Sequence, residues 1–235
     1  MPGIAPEIYG TFACAEDIDI SQFPEKFVLK CNHDSGSVVI CTDKNNFDFA
    51  SAVKKLSLHL KMNMYYISRE WQYKNIAPRI LCEEYIDRGT MHYSGLTPDV
   101  FRMHCFDGVP VYIEAEYTGD AQDSYTNIYD RGWCRLPVCL NGRQNTPAEV
   151  PKPERLDEAL NIAKKLSAGL DYCRIDLYIT ATKIYFSEFT FSPNNGREKF
   201  CPAEWDGIFG AHWHLHKAHS IPDAPFQVRR LNNMT

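Results

Sequence analysis

Between Asp171 and Gly196, DYCRIDLYITATKIYFSEFTFSPNNG, core-suited and polar positions alternate along the first half and a second β-rich run follows. The pattern predicts two adjacent strands, Cys173 to Ile179 and Ile184 to Thr190, joined by a turn at Ala181-Thr182-Lys183. Residues two apart share one face of a strand. Arg174 and Asp176 therefore point the same way, and Ser187 points away from Glu188. Antiparallel pairing of the two strands brings Asp176 and Glu188 together, with Arg174 beside them. Two carboxylates and an Arg on one sheet face suit a hard divalent cation that carries a polyphosphate. A half-exposed face of solvated charges accounts equally well for any one of these residues. The three together, followed by the Pro193-Asn194-Asn195-Gly196 loop, favour a site.

Residues 1–25 read as irregular, broken at Pro2, Pro6 and Pro24. Lys26 to Cys31 and Val38 to Cys41 are strand-like and flank a polar turn, which predicts a hairpin with Lys30 just before its loop. Small residues such as Ser35, Gly36 and Ser37 let backbone N–H groups approach phosphate oxygens, and a Lys supplies a mobile charge. Ordinary turn chemistry explains the same residues without a ligand. Phe47 to Lys61 carries Phe49, Val53, Leu56 and Leu60 at helical spacing, with Asn46 or Asp48 as the cap. Arg79 to Ile86 is an apolar run interrupted by Glu83 and Glu84. Backbone groups around Glu84 and Tyr85 would read a purine edge if this strand ends at a cleft. Alternatively the two glutamates mark where the strand surfaces.

Phe101 to Phe106 and Val109 to Tyr117 are β-rich and joined by Asp107-Gly108, the strongest hairpin signal in the chain. Residues 118–150 lack periodicity and read as a long loop or flap. Pro153 opens an amphipathic helix carrying Leu156, Leu160, Ala163, Leu166 and Leu170, and Gly169 marks its end. Glu204 to Ala218 reads as another helix, with a weakly structured tail from Ile221. His212, His214, His216 and His219 cluster there, and helical spacing pairs His212 with His216. No acid completes a metal set, so a helix packing Trp213 and Leu215, with solvated histidines, fits better.

At 235 residues the chain can bury a sizeable core, as one large domain or two lobes. Its 44% hydrophobic and 23% charged residues are those of a globular protein. A net charge of −5 argues against general nucleic-acid binding. No apolar run is long enough to span a bilayer, and MPGIAPEIYG has neither the basic nor the apolar segment of a signal peptide. The cysteine count is nine, odd and without CxxC pairs. Cys31, Cys41, Cys82, Cys105 and Cys173 lie in strand-like runs. Buried reduced thiols in a cytoplasmic protein are the expectation.

Taken in order, FVLKCNHDSGSVVI, RILCEEYI, FRMHCFDGVPVYI, the helix leading into CRIDLYI, YFSEFTFSPNNG and PAEWDGIFG resemble the ATP-grasp family. The resemblance covers roughly residues 8–212 and points to the teichuronopeptide-biosynthesis (TupA-like) branch, associated with bacterial surface-polysaccharide genes. It implies an α+β fold of two lobes, 1–86 and 87–235, each with an antiparallel sheet and helices, and ATP in the cleft between them. The N-terminal pre-ATP-grasp lobe would be largely absent, leaving a protein that is naturally short, completed by a partner chain or second copy, or impaired. By this resemblance Lys30 contacts the ATP phosphates and Ser35, Gly36 and Ser37 close over them. Glu83, Glu84, Tyr85 and Ile86 form the hinge that reads adenine, and Asp99 lies near the ribose. Arg102 faces phosphate or substrate, and Arg174 stabilises the transferring phosphoryl group. Asp176, Glu188 and Thr190 hold magnesium. The chain departs from the family pattern at Val100, where Asp is usual, and at Thr190, where the wider superfamily has Asn. The implied activity is an ATP- and magnesium-dependent carboxylate–amine ligase. A kinase of a small-molecule or glycan hydroxyl, or a nucleotide-binding assembly module without turnover, would use the same fold.

Overall fold

A computed structural model describes residues 3–88 and 91–214 of the chain. In chain order its elements are β1 (Ile8–Phe12), β2 (Phe27–Cys31), β3 (Val39–Cys41), α1 (Phe49–Leu60), α2 (Met64–Ser68), β4 (Ile80–Glu84), β5 (Leu96–Phe106), β6 (Val109–Gly119), β7 (Ser124–Asp130), β8 (Cys139–Leu140), α3 (Leu156–Leu166), β9 (Tyr172–Ile179), β10 (Ile184–Thr190), β11 (Phe200–Cys201) and α4 (Glu204–Gly210). Both main sheets are antiparallel, ordered β1-β4-β2-β3 and β10-β9-β5-β6-β7, and β8 pairs with β11.

Alternation divides the faces of the first sheet. Phe27, Leu29 and Cys31 of β2 are buried in one core with Leu56 of α1 and with Ile80 and Cys82 of β4. Lys30 points the other way, as period two requires. The cap of α1 is Asp48, whose carboxylate accepts a hydrogen bond from Ser51 N–H at 3.0 Å.

The second sheet buries Phe101, Met103, Ile113, Ala115, Ile175 and Leu177 against Leu156, Ala159, Ile162 and Ala163 of α3. Fully burying a side chain such as Leu156 contributes about 1.5–3 kcal/mol. The hairpin between β5 and β6 turns on Asp107 (φ 48°) and Gly108 (φ 73°). Left-handed backbone at both central residues gives the strands their matching twist. Arg102, His104, Glu114, Arg174 and Asp176 alternate with the apolar set and take the opposite face.

Two stretches read as irregular contain strands. β1 lies within residues 1–25 and pairs with β4; it is a short edge strand with a glycine in it, which weakens its local signal. β7 and β8 lie within residues 118–150. β7 is built on polar contacts: buried Asn127 donates to Thr146 Oγ1 at 2.7 Å and accepts from Thr146 N–H at 3.0 Å, so hydrophobic periodicity misses it. The helix read as running to Ala218 ends at Gly210, and its positions beyond 214, with Leu215, His216 and His219, lie outside the described residues. Trp213 is only partly covered, 45% exposed, and stacks on Tyr172. Cys31, Cys41, Cys82, Cys105 and Cys173 are buried free thiols. Among the described residues no helix is long and apolar enough to cross a membrane.

Candidate active site between the two sheets

The charged face of the second sheet carries a row of side chains in register across four strands. Glu188 of β10 is the cross-strand partner of Asp176 in β9, Asp176 of Arg102 in β5, and Arg102 of Glu114 in β6. A bulge between Phe186 and Glu188 inserts Ser187 as an extra residue, so strict alternation fails there. Ser187 and Glu188 line the same cavity, contrary to the alternation read from the sequence.

Arg174 clamps Asp176 with two hydrogen bonds, Nε to Oδ1 at 2.8 Å and Nη2 to Oδ2 at 2.9 Å. Its Nη2 lies 3.6 Å from Glu188 and donates to Thr190 Oγ1 at 3.2 Å. Arg102 approaches Asp176 from the other side at 3.3 Å and pairs with Glu114 at 2.8 Å and Glu116 at 2.7 Å. Arg143 pairs with Glu116 from the segment after β8. Both guanidiniums are therefore fixed by carboxylates, with their ionisation favoured despite burial.

A cavity of about 720 Å³ separates this face from the first sheet. Lys30, Ser35, Gly36, Ser37 and Glu83 line it from the first sheet; Asp99, Arg102, Asp176 and Glu188 line it from the second. Lys30 Nζ pairs with Glu83 at 2.5 Å. Gly36 holds φ at +106° with nothing near its missing Cβ, a conformation that disfavours any other residue. Ser37 is anchored: its hydroxyl accepts from Cys31 N–H at 2.8 Å and donates to Asp34 at 2.6 Å. Asp34 in turn pairs with His59 of α1. Asp99 sits at a bulge in β5, which puts Asp99 and Val100 both on the cavity wall. Its carboxylate accepts from Arg88 at 3.3 Å and from Thr118 at 2.7 Å.

Glu84, Tyr85 and Ile86 line an adjoining cavity of about 270 Å³ that shares Lys30, Glu83 and Arg88 with the first. Val38 and Ile40, both nearly half exposed, form its apolar wall. Glu84 accepts a hydrogen bond from Tyr185 of β10 at 2.9 Å, tying the end of β4 in the first sheet to the second. Thr190 is buried away from these cavities, and its hydroxyl serves Arg174.

The model of the TupA-like ATPgrasp family matches residues 6–214 of the 235. The chain belongs to this family. No curated protein matches it closely enough to count as a relative. Among solved structures, this TupA-like chain is similar to D-alanine–D-alanine ligase from Bacillus anthracis complexed with ATP, at 17% identity and TM-score 0.41, over 79% of this chain and 48% of that one. It is similar to a RimK domain protein ATP-grasp from Sphaerobacter thermophilus, at 14% identity and TM-score 0.40, over 89% of this chain and 60% of the other. A third is the ATP-grasp ligase PsnB complexed with minimal precursor, Mg and ADP, at 14% identity and TM-score 0.40, covering 90% and 54% of the two chains. The chain spans about half the length of the first of these.

Within this TupA-like site several residues escaped the sequence reading. Glu114 and Glu116 occupy alternate positions of an otherwise apolar strand, a signal that was available in VYIEAEY. Burial works against the charge on Glu114, yet the hydrogen bond from His104 and the Arg102 guanidinium hold its carboxyl down at about 2. At Glu198 burial prevails, and the Glu114 charge adds to it, pushing that carboxyl up to about 7. Glu188 also lies above its ordinary value, through burial and the charge of Asp176. A cation between the two carboxylates would relieve that opposition. Among the described residues no set of three or more His, Cys, Asp or Glu side chains is arranged to hold a metal. Two carboxylates fit magnesium, which takes few protein ligands beside phosphate oxygens and water. Of the described histidines, His214 lies 3.3 Å from Asp107 and the His212 ring 6.2 Å from that of Phe106.

Proposed function

We propose that the chain is an ATP- and magnesium-dependent carboxylate–amine ligase that activates a carboxylate as an acyl phosphate. The observation that carries this reading is the cavity of about 720 Å³ where Lys30 of the first sheet faces Arg102 and the Asp176–Glu188 pair of the second. Cations on both walls suit a polyphosphate, and phosphoryl transfer is catalysed mainly by positioning and charge neutralisation. The two lobes, 1–86 and 87–235, meet at this cavity. In this reading Lys30 binds phosphate, with the Ser35-Gly36-Ser37 turn presenting backbone N–H groups beside it. The apolar wall of Val38 and Ile40 takes the adenine, and Glu83 to Ile86 supply its edge contacts. Asp99 faces the ribose. Asp176 and Glu188 would hold magnesium, which supplies charge neutralisation at the phosphoryl oxygens. Thr190 supports Arg174 in place of ligating the metal. Arg174 and Arg102 stabilise charge on the transferring group. Joining an amino acid to a sugar acid of a surface polysaccharide is the substrate class that the TupA-like resemblance supports. Nine free cysteines, five of them buried side chains of strands, support a reducing, cytoplasmic setting.

The test is a thermal melt with ATP and magnesium. Ligand at about a hundred times Kd stabilises by about 2.7 kcal/mol, or roughly 5–11 °C in a chain of this size. Lys30→Ala should remove most of that shift while melting near the wild-type temperature without ligand. A chain indifferent to millimolar ATP and magnesium would overturn the reading. Phosphate released only when carboxylate and amine are both present identifies a ligase; ADP formed with phosphate retained on a hydroxyl identifies a kinase.

A further inference from the structure

A second cavity, of about 210 Å³, opens on the charged face of the larger sheet beyond Arg174 and His104. Its floor is the cross-strand pair Phe106 and Tyr172, with Tyr112 beside them. Phe209 of α4 stacks on Tyr112 with ring centres 3.9 Å apart, and Trp213 stacks on Tyr172 at 5.1 Å. Phe191 and Trp213 stay 46% and 45% exposed at its mouth. The charged side chains lining it are Glu198 and Asp206; no Lys, Arg or His lines it among the described residues.

We propose that this aromatic cavity is the subsite for an organic primary ammonium, whose apolar body lies against the stacked rings and whose –NH3+ meets Glu198. Identifying that ammonium as the amine substrate rests on the ligase reading above. The two cavities differ in their cations: Lys30, Arg88 and Arg102 line the first among its carboxylates and can meet an anion, whereas the charged side chains lining the second are acids alone. Aromatic faces attract a cation through their quadrupoles, most strongly when the site is desolvated. The volume is below the about 300–1,000 Å³ of pockets that enclose a drug-sized ligand, so a side-chain-sized group fits.

Position connects this cavity to the chemistry. Glu198 interacts electrostatically with Glu114, Arg174, Arg102 and Arg143, the side chains that frame the Asp176 row. Tyr172 Oη lies 3.0 Å from His104 Nδ1, and His104 Nε2 lies 3.4 Å from Glu114, so the floor is held to that row. Glu198 makes no hydrogen bond or ion pair among the described residues, and its charge is opposed by burial and by Glu114. A bound ammonium would supply the direct ion-pair partner that Arg174, Arg102 and Arg143, which act on Glu198 without pairing with it, do not.

The experiment is calorimetric titration of the full chain, without ATP, with phenethylammonium chloride and separately with the neutral 2-phenylethanol. Saturable binding of the ammonium is expected, at least tenfold tighter than the alcohol. Glu198→Gln and Trp213→Leu should each weaken it tenfold or more, with unchanged melting for Trp213→Leu and unchanged or raised melting for Glu198→Gln. Lys30→Ala should leave it intact. Equal affinity for the two probes, undiminished binding to Glu198→Gln, or no saturable binding overturns the proposal. Because the titration needs no nucleotide, ammonium binding in a chain indifferent to ATP would remove the ligase reading and keep the subsite. An ATP response without ammonium binding would do the reverse.

Discussion

Asp176 is the cross-strand partner of Glu188, and both carboxylates open on the same cavity. Asp176 is fixed by Arg174 and Arg102, whereas half of the Glu188 side chain is exposed and, among the described residues, its one ion pair is with Arg174 at 3.6 Å. One carboxylate is thus rigid and the other adjustable, an arrangement suited to a cation that arrives with its phosphate ligand.

Substituting the adjustable member should alter metal dependence with little effect on the fold. Glu188→Gln is expected to raise the magnesium concentration for half-maximal ATP turnover by about tenfold, which corresponds to the loss of about 1.4 kcal/mol of metal binding. Magnesium titrations of wild type and variant check this, and an unchanged midpoint would remove Glu188 from the metal set.

Arg174 separates catalysis from binding. Its planar fork serves several oxygens at once, and the charge it meets grows during phosphoryl transfer. Losing one such donor costs about 2.7–4 kcal/mol, roughly a hundred- to a thousand-fold in turnover. Arg174→Ala should keep most of the ATP affinity and lose turnover by that factor, and Arg174→Lys should rescue little. Weakened ATP binding with an intact saturated rate would make Arg174 a ground-state binder.

Arg102 carries the stability of the row. It is the common partner of Asp176, Glu114 and Glu116. Removing one partner from a buried ionic network leaves uncompensated charge and costs about 3–5 kcal/mol. Arg102→Met should lose that much in urea denaturation at neutral pH. A loss under about 1 kcal/mol would show that water replaces the guanidinium.

Glu198 and Glu114 pull the pH dependence of stability in opposite directions. The Glu198 carboxyl is raised from 4.5 to about 7 in the folded chain, so its contribution is full below about pH 4.5 and is lost as pH rises through 7. Glu198→Gln removes that loss. The variant should be more stable than wild type at pH 8 by about 1–2 kcal/mol, allowing for partial solvent screening, and no more stable at pH 4. Glu114, held down at about 2, contributes stability above its ordinary 4.5 that is lost as pH falls towards 2. Denaturant midpoints between pH 4 and 8 test the Glu198 effect, and equal midpoints for wild type and Glu198→Gln at pH 8 would refute it.

Local periodicity determined much of this protein. Alternation in CRIDLYI and the β-rich composition of IYFSEFT placed β9 and β10, and parity put Arg174 and Asp176 on one face, because side-chain direction in a regular strand depends only on sequence parity. Asp107-Gly108 marked the β5–β6 turn because few residues tolerate left-handed backbone, and leucine spacing marked α3. The ordered motifs also carried the family. What parity cannot supply is long-range register. The bulges at Ser187 and Asp99 each break the alternation, and they exist only because β10 and β5 pair with particular partners. Likewise β1 joins β4 across most of the first lobe, and β7 is held by the Asn127–Thr146 contacts of its polar core. The charges show the same division. Arg102 was visible as a cation in a strand, but its three carboxylate partners come from two neighbouring strands brought together by the sheet. The acid-only aromatic cavity needs β5, β6, β9, the loop after β10 and α4 at once, so only tertiary packing creates it.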